Sequence, residues 1–214
     1  MMYWATANRL LRMLYPGLHW KVKTGEKKLY LTFDDGPHPA ITSYVLDLLK
    51  QYHARASFFC IGKNVVANPD VYARILEDGH AVGNHTMNHR NGWKTDHEDY
   101  FDNIRQASAI IDSRMFRPPY GRIRRFQANA LKSNGWEIVM WSLLSGDFDI
   151  TLSPPKCWDL VRKHAGPGSI IVFHDSEKAY DRLAYALPRT LETFSQQGYT
   201  FEKLTMDILR KDKE

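Results

Sequence analysis

Short apolar runs alternate along the chain with longer stretches in which apolar positions recur at helical spacing. Apolar runs of four to eight residues bounded by turn residues indicate strands, and a 3.6-residue period indicates helices. Strands are predicted at residues 28–33, 56–60, 80–84, 115–117, 137–143, 169–174 and 199–204. Helices are predicted at residues 41–51, 70–78, 100–112, 125–134, 155–164 and 188–196. This alternation predicts an α/β fold with a parallel sheet that crossover helices close or nearly close.

Clusters of chemically reactive side chains follow directly after predicted strands. Asp34 and Asp35 end the first strand, residues 85–89 follow the third, residues 145–149 follow the fifth, and His174-Asp175 closes the sixth. In parallel barrels the active site lies at the carboxyl ends of the strands. The reactive clusters are therefore predicted to meet at one end of a barrel.

Two of these clusters indicate a metal site. Asp34 and Asp35 repel each other, so a fold tolerates the pair best beside a cation or with one carboxyl protonated. His85 and His89 are four residues apart, and one turn of helix would place both imidazoles on a common face. Imidazole and carboxylate ligands together suit Zn²⁺ or a related first-row metal. The alternatives are an ordinary acidic turn and solvent-facing histidines, but the two motifs together favour the metal.

Composition is consistent with one globular unit. Hydrophobic residues make up 43% of the 214 residues, which suffices for the core of a small barrel. The net charge of +5 is compatible with an anionic wall polymer or a lipid surface. Because basic and acidic residues are interspersed along the chain, no nucleic-acid partner is expected. Cys60 and Cys157 are too few and too far apart for a structural zinc cluster.

Residues 1–27 are predicted to form a separate amino-terminal segment before a domain at residues 28–214. Trp4, Ala7, Leu11 and Leu14 can share one face of a helix that ends at Pro16-Gly17. This helix is expected to cap the bottom of the barrel; the alternative is a peripheral membrane contact through residues 1–15. No apolar stretch typical of a signal peptide is visible, so a cytoplasmic or peripheral membrane location is expected.

Five motifs in fixed order carry a family resemblance. They are Thr32-Phe33-Asp34-Asp35-Gly36, His85-Thr86-Met87-Asn88-His89, Arg117-Pro118-Pro119-Tyr120, Asp147-Phe148 and Val172-Phe173-His174. With these motifs, over about residues 28–204, the chain resembles the polysaccharide deacetylase family, also called the NodB-homology or carbohydrate esterase 4 family. The resemblance implies a distorted (β/α)7 barrel in a single domain. It also implies a metal-dependent hydrolase that removes N-linked acetyl groups from amino sugars.

The resemblance assigns the metal to Asp35, His85 and His89, and the general base to Asp34. A carboxylate bound to a cation has its lone pairs engaged, so its free neighbour is the one able to accept a proton. Zn²⁺, or another divalent first-row ion such as Co²⁺, is the expected cofactor. Such an ion lowers the pKa of its bound water and polarises the amide carbonyl.

The remaining catalytic roles also come from the resemblance. His174 is the expected acid that protonates the leaving amine, and Asp147 would orient its imidazole and raise its pKa. Arg117 would pair with Asp34 and hold it ionised. The alternative for Arg117, an exposed surface cation, fits poorly with the rigid Pro-Pro-Tyr-Gly sequence that follows it.

Five residues are expected to contact substrate. The backbone N–H of Tyr120 would stabilise the oxyanion together with the metal, and Pro119 precedes it. Phe148 and Val172 would wall the pocket for the acetyl methyl group, and Trp93 would contact the sugar. The family usually has Trp where this chain has Phe148, and often Asp at the position of Leu144, so the acyl group is less well defined than the reaction.

The predicted function is therefore hydrolysis of an acylated amino sugar by a metal-dependent amidase acting on a non-peptide carbon–nitrogen bond. The alternatives are deformylation or deacylation of a lipid-linked sugar precursor, hydrolysis of a non-sugar amide, and a non-catalytic carbohydrate-binding role. The presence of every expected base, ligand and acid favours an enzyme.

Overall fold

The computed structural model describes residue 6 and residues 13–212, and its strands form one parallel sheet. The strands are β1 (Lys28–Asp34), β2 (Ser57–Cys60), β3 (Ala81–Asn84), β4 (Met115–Phe116), β5 (Glu137–Ile138), β6 (Leu143–Leu144), β7 (Ile170–His174) and β8 (Thr200–Phe201). The helices are α1 (Ile41–Gln51), α2 (Gly62–Ala67), α3 (Pro69–Glu77), α4 (His97–Ser108), α5 (Arg125–Ser133), α6 (Pro154–His164), α7 (Tyr180–Gln196) and α8 (Met206–Lys211). A short 3₁₀ turn spans Pro119–Gly121.

The sheet curls around β1 in the order β5-β4-β3-β2-β1-β7-β6, and β8 pairs with the beginning of β1. The pairings between these strands are all parallel, as crossover helices require. In the register of β1, Asp34 lies opposite Phe59 of β2 and His174 of β7. The predicted distorted (β/α)7 barrel in a single α/β domain is confirmed. Its parallel sheet is curled, and the reactive clusters lie at the carboxyl ends of its strands.

Alternation along β1 separates two apolar layers. Leu29, Leu31 and Phe33 are fully buried in the layer shared with α1, α6 and α7. Tyr30 points to the opposite face and belongs to a second cluster, which fills the inside of the curled sheet. Burying a Leu or Phe side chain stabilises a fold by about 1.5–3 kcal/mol. Register is therefore strongly specified, because a slip of one residue would exchange the two faces.

The segment before β1 helps to close the curled sheet. His19 forms a parallel bridge with Val139, and Lys21 forms an antiparallel bridge with Ser169. The N–H of His19 donates to the carbonyl of Ile138 at 2.9 Å, and the N–H of Met140 donates to the carbonyl of His19 at 2.7 Å. These bonds satisfy backbone groups that the sheet would otherwise leave unpaired.

The continuous strand predicted at residues 137–143 is wrong. The chain leaves β4 after Ile138, pairs with His19 through Val139 and Met140, and joins β7 only from Ser142 onward. Two short strands, β5 and β6, replace the predicted one because their hydrogen-bond partners lie on different parts of the sheet.

The helix predicted to begin at Pro188 is also wrong at its start. α7 begins at Tyr180 and contains Pro188 in its interior. Leu183 and Leu187, in the turns before the proline, are fully buried against the sheet. Their burial outweighs the hydrogen bond that a proline removes from a helix. The short helices α2 and α8 have no counterpart among the predicted elements.

The amphipathic helix predicted in the amino-terminal segment falls mostly outside the described residues, which exclude Trp4, Ala7 and Leu11. Of its apolar positions, Leu14 is described and is exposed. Farther on, Leu18 and Trp20 are buried against the barrel. Among the described residues, no helix has the length and apolar character that a membrane crossing requires.

Candidate active site

Arg117 directly follows β4, at the carboxyl end of the strand, and is fully buried. One guanidinium nitrogen donates to Asp34 Oδ1 at 2.7 Å and to the Thr32 hydroxyl at 2.7 Å. The other nitrogens donate to the carbonyls of Val139 at 3.1 Å and Met140 at 2.9 Å. The alternative of an exposed cation is wrong, because the guanidinium replaces water with protein acceptors and aims the Asp34 carboxylate.

The side chains of Asp35, His85 and His89 lie close together, and Asp35 directly follows Asp34 in the sequence. Their ligand atoms all lie within 4.8 Å of one another. His85 Nε2 lies 3.8 Å from Asp35 Oδ1, and His89 Nε2 lies 3.3 Å from the same oxygen. This oxygen is buried and has no hydrogen-bond partner among the described residues, which is costly unless a cation neutralises it. The three donors fit a divalent first-row metal.

The protonation states of these three side chains also favour a metal site. Burial lowers the pKa of His85, and burial together with the charge of His85 lowers that of His89 to about 4. Burial favours the neutral form of Asp35, but the charges of His174, His85 and His89 outweigh it and lower its pKa. Nδ1 of His85 bonds to the carbonyl of Arg117 at 2.7 Å, so Nδ1 carries the proton and Nε2 keeps its lone pair.

The two metal-site histidines lie on a loop, so the predicted helical turn is wrong. Thr86 has a φ of 65° and His89 a φ of 56°, both in the left-handed region that few side chains adopt. The N–H of Thr86 donates to Asn84 Oδ1 at 2.8 Å, and the N–H of Asn88 donates to Asn103 Oδ1 at 2.9 Å. These asparagines, which sequence reasoning missed, hold the loop in a conformation that a helix would not permit.

Hydrogen bonds with neighbouring segments hold the loop at Asp35 in place. Asn64 on α2 donates to the carbonyl of Asp35 at 2.7 Å. The N–H of Gly36 donates to Asp175 Oδ1 at 3.0 Å, and a Cβ at Gly36 would lie 2.0 Å from the other oxygen of Asp175. Thr42 donates to that second oxygen. Burial raises the pKa of Asp175 to about 7.

His174 ends β7 and lies opposite Asp34 in the register of β1 and β7. Its Nδ1 bonds to Asp147 Oδ1 at 2.8 Å, and its backbone N–H donates to Asp147 Oδ2 at 2.7 Å. Burial disfavours the imidazolium, but the charge and hydrogen bond of Asp147 outweigh burial and raise the pKa of His174 to about 9. Arg182 of α7 donates to the carbonyl of Asp147 at 2.7 Å and so fixes the carboxylate's position.

The geometry therefore combines three metal donors, a buried carboxylate and a protonated imidazole at one barrel mouth. The family model for polysaccharide deacetylases matches residues 21–139. The chain belongs to the polysaccharide deacetylase family.

Individual members of this family cover nearly the whole chain. A peptidoglycan-N-acetylglucosamine deacetylase of Bacillus cereus is 35% identical over 199 residues, which are 89% of this chain and 92% of that protein. A peptidoglycan-N-acetylmuramic acid deacetylase of Bacillus subtilis is 32% identical over 200 residues, covering 89% of this chain and 74% of that protein. The crystal structure of a peptidoglycan N-acetylglucosamine deacetylase bound to an N-hydroxybenzamide derivative superposes with a TM-score of 0.84. That pair is 28% identical and covers 92% of this chain and 95% of the other.

Of the five substrate contacts predicted from the family resemblance, Tyr120 and Phe148 lie beside His89 and His174, and Pro119 directly precedes Tyr120. Tyr120 is 62% exposed, and its ring centre lies 4.5 Å from that of His89. Its φ of 60° places the residue in the left-handed region, beside the buried Pro119. The ring of Phe148 meets that of His174 edge-on with centres 5.2 Å apart.

The other two predicted contacts lie farther from these groups. Val172 is buried in β7, two residues before His174 and opposite Thr32, and so lies within the barrel wall below the site. Trp93 is 46% exposed on the loop that follows the metal-site histidines. Trp141 is half-buried and packs beside Gly121.

An open cavity of about 400 Å³ adjoins Asp35. Asn64, Asn68, Ser176 and Lys178 contribute to its lining. His38 also lines this cavity, and its Nδ1 accepts the N–H of Ile41 at 3.2 Å. The cavity therefore lies directly beside one of the three candidate metal donors.

Proposed function

We propose that the protein is a metal-dependent hydrolase that removes the N-linked acetyl group from an amino sugar within a glycan. The observation that carries the proposal is the pairing of β1 with β7. In this pairing Asp34 lies beside His174. The next residue, Asp35, lies close to His85 and His89, the other two candidate metal donors. A nucleophile-activating base and a leaving-group acid therefore flank one metal site.

Asp35, His85 and His89 would hold the metal. A divalent ion there would supply Lewis acidity toward the acetamide oxygen and the attacking water. Zn²⁺ is proposed from the mixed imidazole and carboxylate donors, and Co²⁺ has the same preferences.

The chain's own residues would then move the protons. Asp34, fixed by Arg117, accepts a proton from water as the water oxygen bonds to the acetamide carbon. The N–H of Tyr120 is proposed to donate to the carbonyl oxygen as negative charge builds there. His174 gives its proton to the amide nitrogen as the carbon–nitrogen bond breaks. The products are acetate and a free amino sugar, and the atoms and charges balance.

Specificity toward the acyl group would come from the site wall. Phe148 lies against His174 and is proposed to contact the methyl group, whereas Val172 supports the wall from within the barrel. Phenylalanine is smaller than the Trp usual in the family, so formyl and acetyl substrates should both be tested.

The purified protein with Zn²⁺ or Co²⁺ should release acetate from peptidoglycan fragments or chitooligosaccharides, measured by mass spectrometry. Asp34→Asn should abolish release while leaving the metal content unchanged, because the variant removes the base and not a ligand. Glu192→Gln, on the exposed side of α7, is the matched control and should retain activity.

Loss of metal in Asp34→Asn would reverse the roles assigned to Asp34 and Asp35. Retained glycan binding without acetate or formate release by the wild type would instead favour a non-catalytic carbohydrate-binding function. Release from heterocyclic amides but from no amino sugar would identify a non-sugar amidase.

A further inference from the structure

Two surface segments beside the metal site carry a concentration of positive charge. Residues 90–95 and 120–126, here called the basic rim, contain five basic side chains and no acidic one. The basic residues are Arg90, Lys94, Arg122, Arg124 and Arg125, and all are exposed. The segments are separated by 24 residues in the sequence, so the cluster forms only when the chain folds.

These cations lack the partners that other surface arginines have. Arg74, Arg105 and Arg162 each pair with an aspartate within 4.0 Å. Within residues 13–212, no side chain of the basic rim forms such a pair. Like charges held together without an acidic side chain within 4.0 Å create a local positive potential that attracts anions.

Hydrogen bonds join the two segments into one surface. The N–H of Gly92 donates to the carbonyl of Arg122 at 3.1 Å, and the indole N–H of Trp93 donates to the carbonyl of Ile123 at 3.0 Å. Arg124 donates to the carbonyl of Trp93 at 2.8 Å. The cations are therefore carried on a fixed backbone.

Exposed aromatic rings interleave with the cations. The guanidinium of Arg122 lies 4.2 Å from the centre of the Trp93 ring. Tyr120 connects the rim to the metal site through its contact with His89. Phe126, at the far end, is 45% exposed. Ring faces of this kind suit the apolar face of a sugar, and arginine forks suit carboxylate or phosphate oxygens.

We propose that the basic rim binds an anionic group, carboxylate or phosphate, on a sugar adjacent to the one that is deacetylated. This inference rests on the proposed function and adds a requirement for charge on the substrate. The cavity beside Asp35 has no comparable bias, since Glu177 and Lys178 carry opposite charges there and His38 lies 3.4 Å from Glu177.

The test compares Arg122→Gln/Arg125→Gln with Arg105→Gln/Arg162→Gln, which removes the same charge from α4 and α6. Substrates of equal length should be an uncharged chitooligosaccharide, an oligomer bearing lactyl carboxylates, and an oligomer bearing phosphate. The rim variant should raise KM for one or both anionic oligomers about tenfold, as expected for two lost exposed ion pairs. Its KM for the uncharged oligomer and its kcat should stay within about twofold, and the control should match the wild type.

Comparison of the two anionic oligomers identifies the source of the charge. Equal KM changes for charged and uncharged oligomers, or equal changes in the rim and control variants, would overturn the inference. Calorimetric binding of the same oligomers to Asp34→Asn separates the two proposals. Stronger binding of anionic glycans supports the rim even if no substrate is turned over, whereas equal binding, or tighter binding of single-stranded DNA, overturns it.

Discussion

Removing the guanidinium of Arg117 should destabilise the protein, mainly because the carboxylate of Asp34 would lose its counter-charge. Arg117 is 0% exposed and Asp34 is 4% exposed, so bulk water solvates neither group well. Arg117→Met keeps most of the side-chain volume but leaves a buried carboxylate without its cation. It also leaves the Thr32 hydroxyl and the carbonyls of Val139 and Met140 without a donor.

The magnitude follows from these partners. Breaking a buried ion pair by removing one member costs about 3–5 kcal/mol, largely because the other charge stays uncompensated. Asp34→Asn keeps an acceptor for Arg117 but leaves the buried guanidinium without its counter-charge, so it too should cost about 3–5 kcal/mol. The double variant contains neither charge, so Arg117→Met should cost about 2 kcal/mol less in the Asp34→Asn background than in the wild type.

Urea unfolding of the wild type, both single variants and the double variant measures this coupling, with the m-value showing whether unfolding remains two-state. Arg189→Met, on the exposed side of α7, serves as control and should change stability little. If Arg117→Met cost the same, within about 0.5 kcal/mol, in both backgrounds, the paired charge would not be the source of its stability contribution.

Acetate release should slow as pH rises through the pKa of His174, which is about 9 without metal and lower beside a bound cation. Asp147→Asn should shift this alkaline limb of the pH–rate profile to lower pH. The metal-free protein should lose up to about 4 kcal/mol of unfolding free energy as pH rises from 3.8 to about 7. The unfolded chain releases the Asp175 proton first, and Asp175→Asn should remove this slope. His85→Ala should abolish stoichiometric Zn²⁺ binding, measured by elemental analysis.

A specific result would contradict each of these three predictions. An alkaline limb unchanged by Asp147→Asn would exclude His174 as the acid coupled to that aspartate. Equal pH slopes of stability in wild type and Asp175→Asn would show that Asp175 does not titrate between these limits. His164→Ala, at the exposed end of α6, controls for histidine loss, and equal metal content in both histidine variants would contradict the ligand assignment.

Local pattern was sufficient for most of the architecture. The helix predicted at residues 41–51 is confirmed to the residue as α1, and the strands near 28–33, 56–60 and 80–84 agree within one residue. These elements bury one continuous face each, so their periodicity reports their packing directly. The predictions failed at Pro188 and at residues 137–143, where contacts with distant segments outweigh local preference.

The sequence by itself determined which side chains could carry the chemistry, because strand, turn and motif order placed Asp34, Asp35 and His174 at strand ends. Only tertiary structure decided how they are held. Asn84 and Asn103 support the metal loop, and several backbone angles at the site lie in the left-handed region. Such features depend on hydrogen bonds and charges between segments remote in the chain, and local periodicity contains no information about those distances.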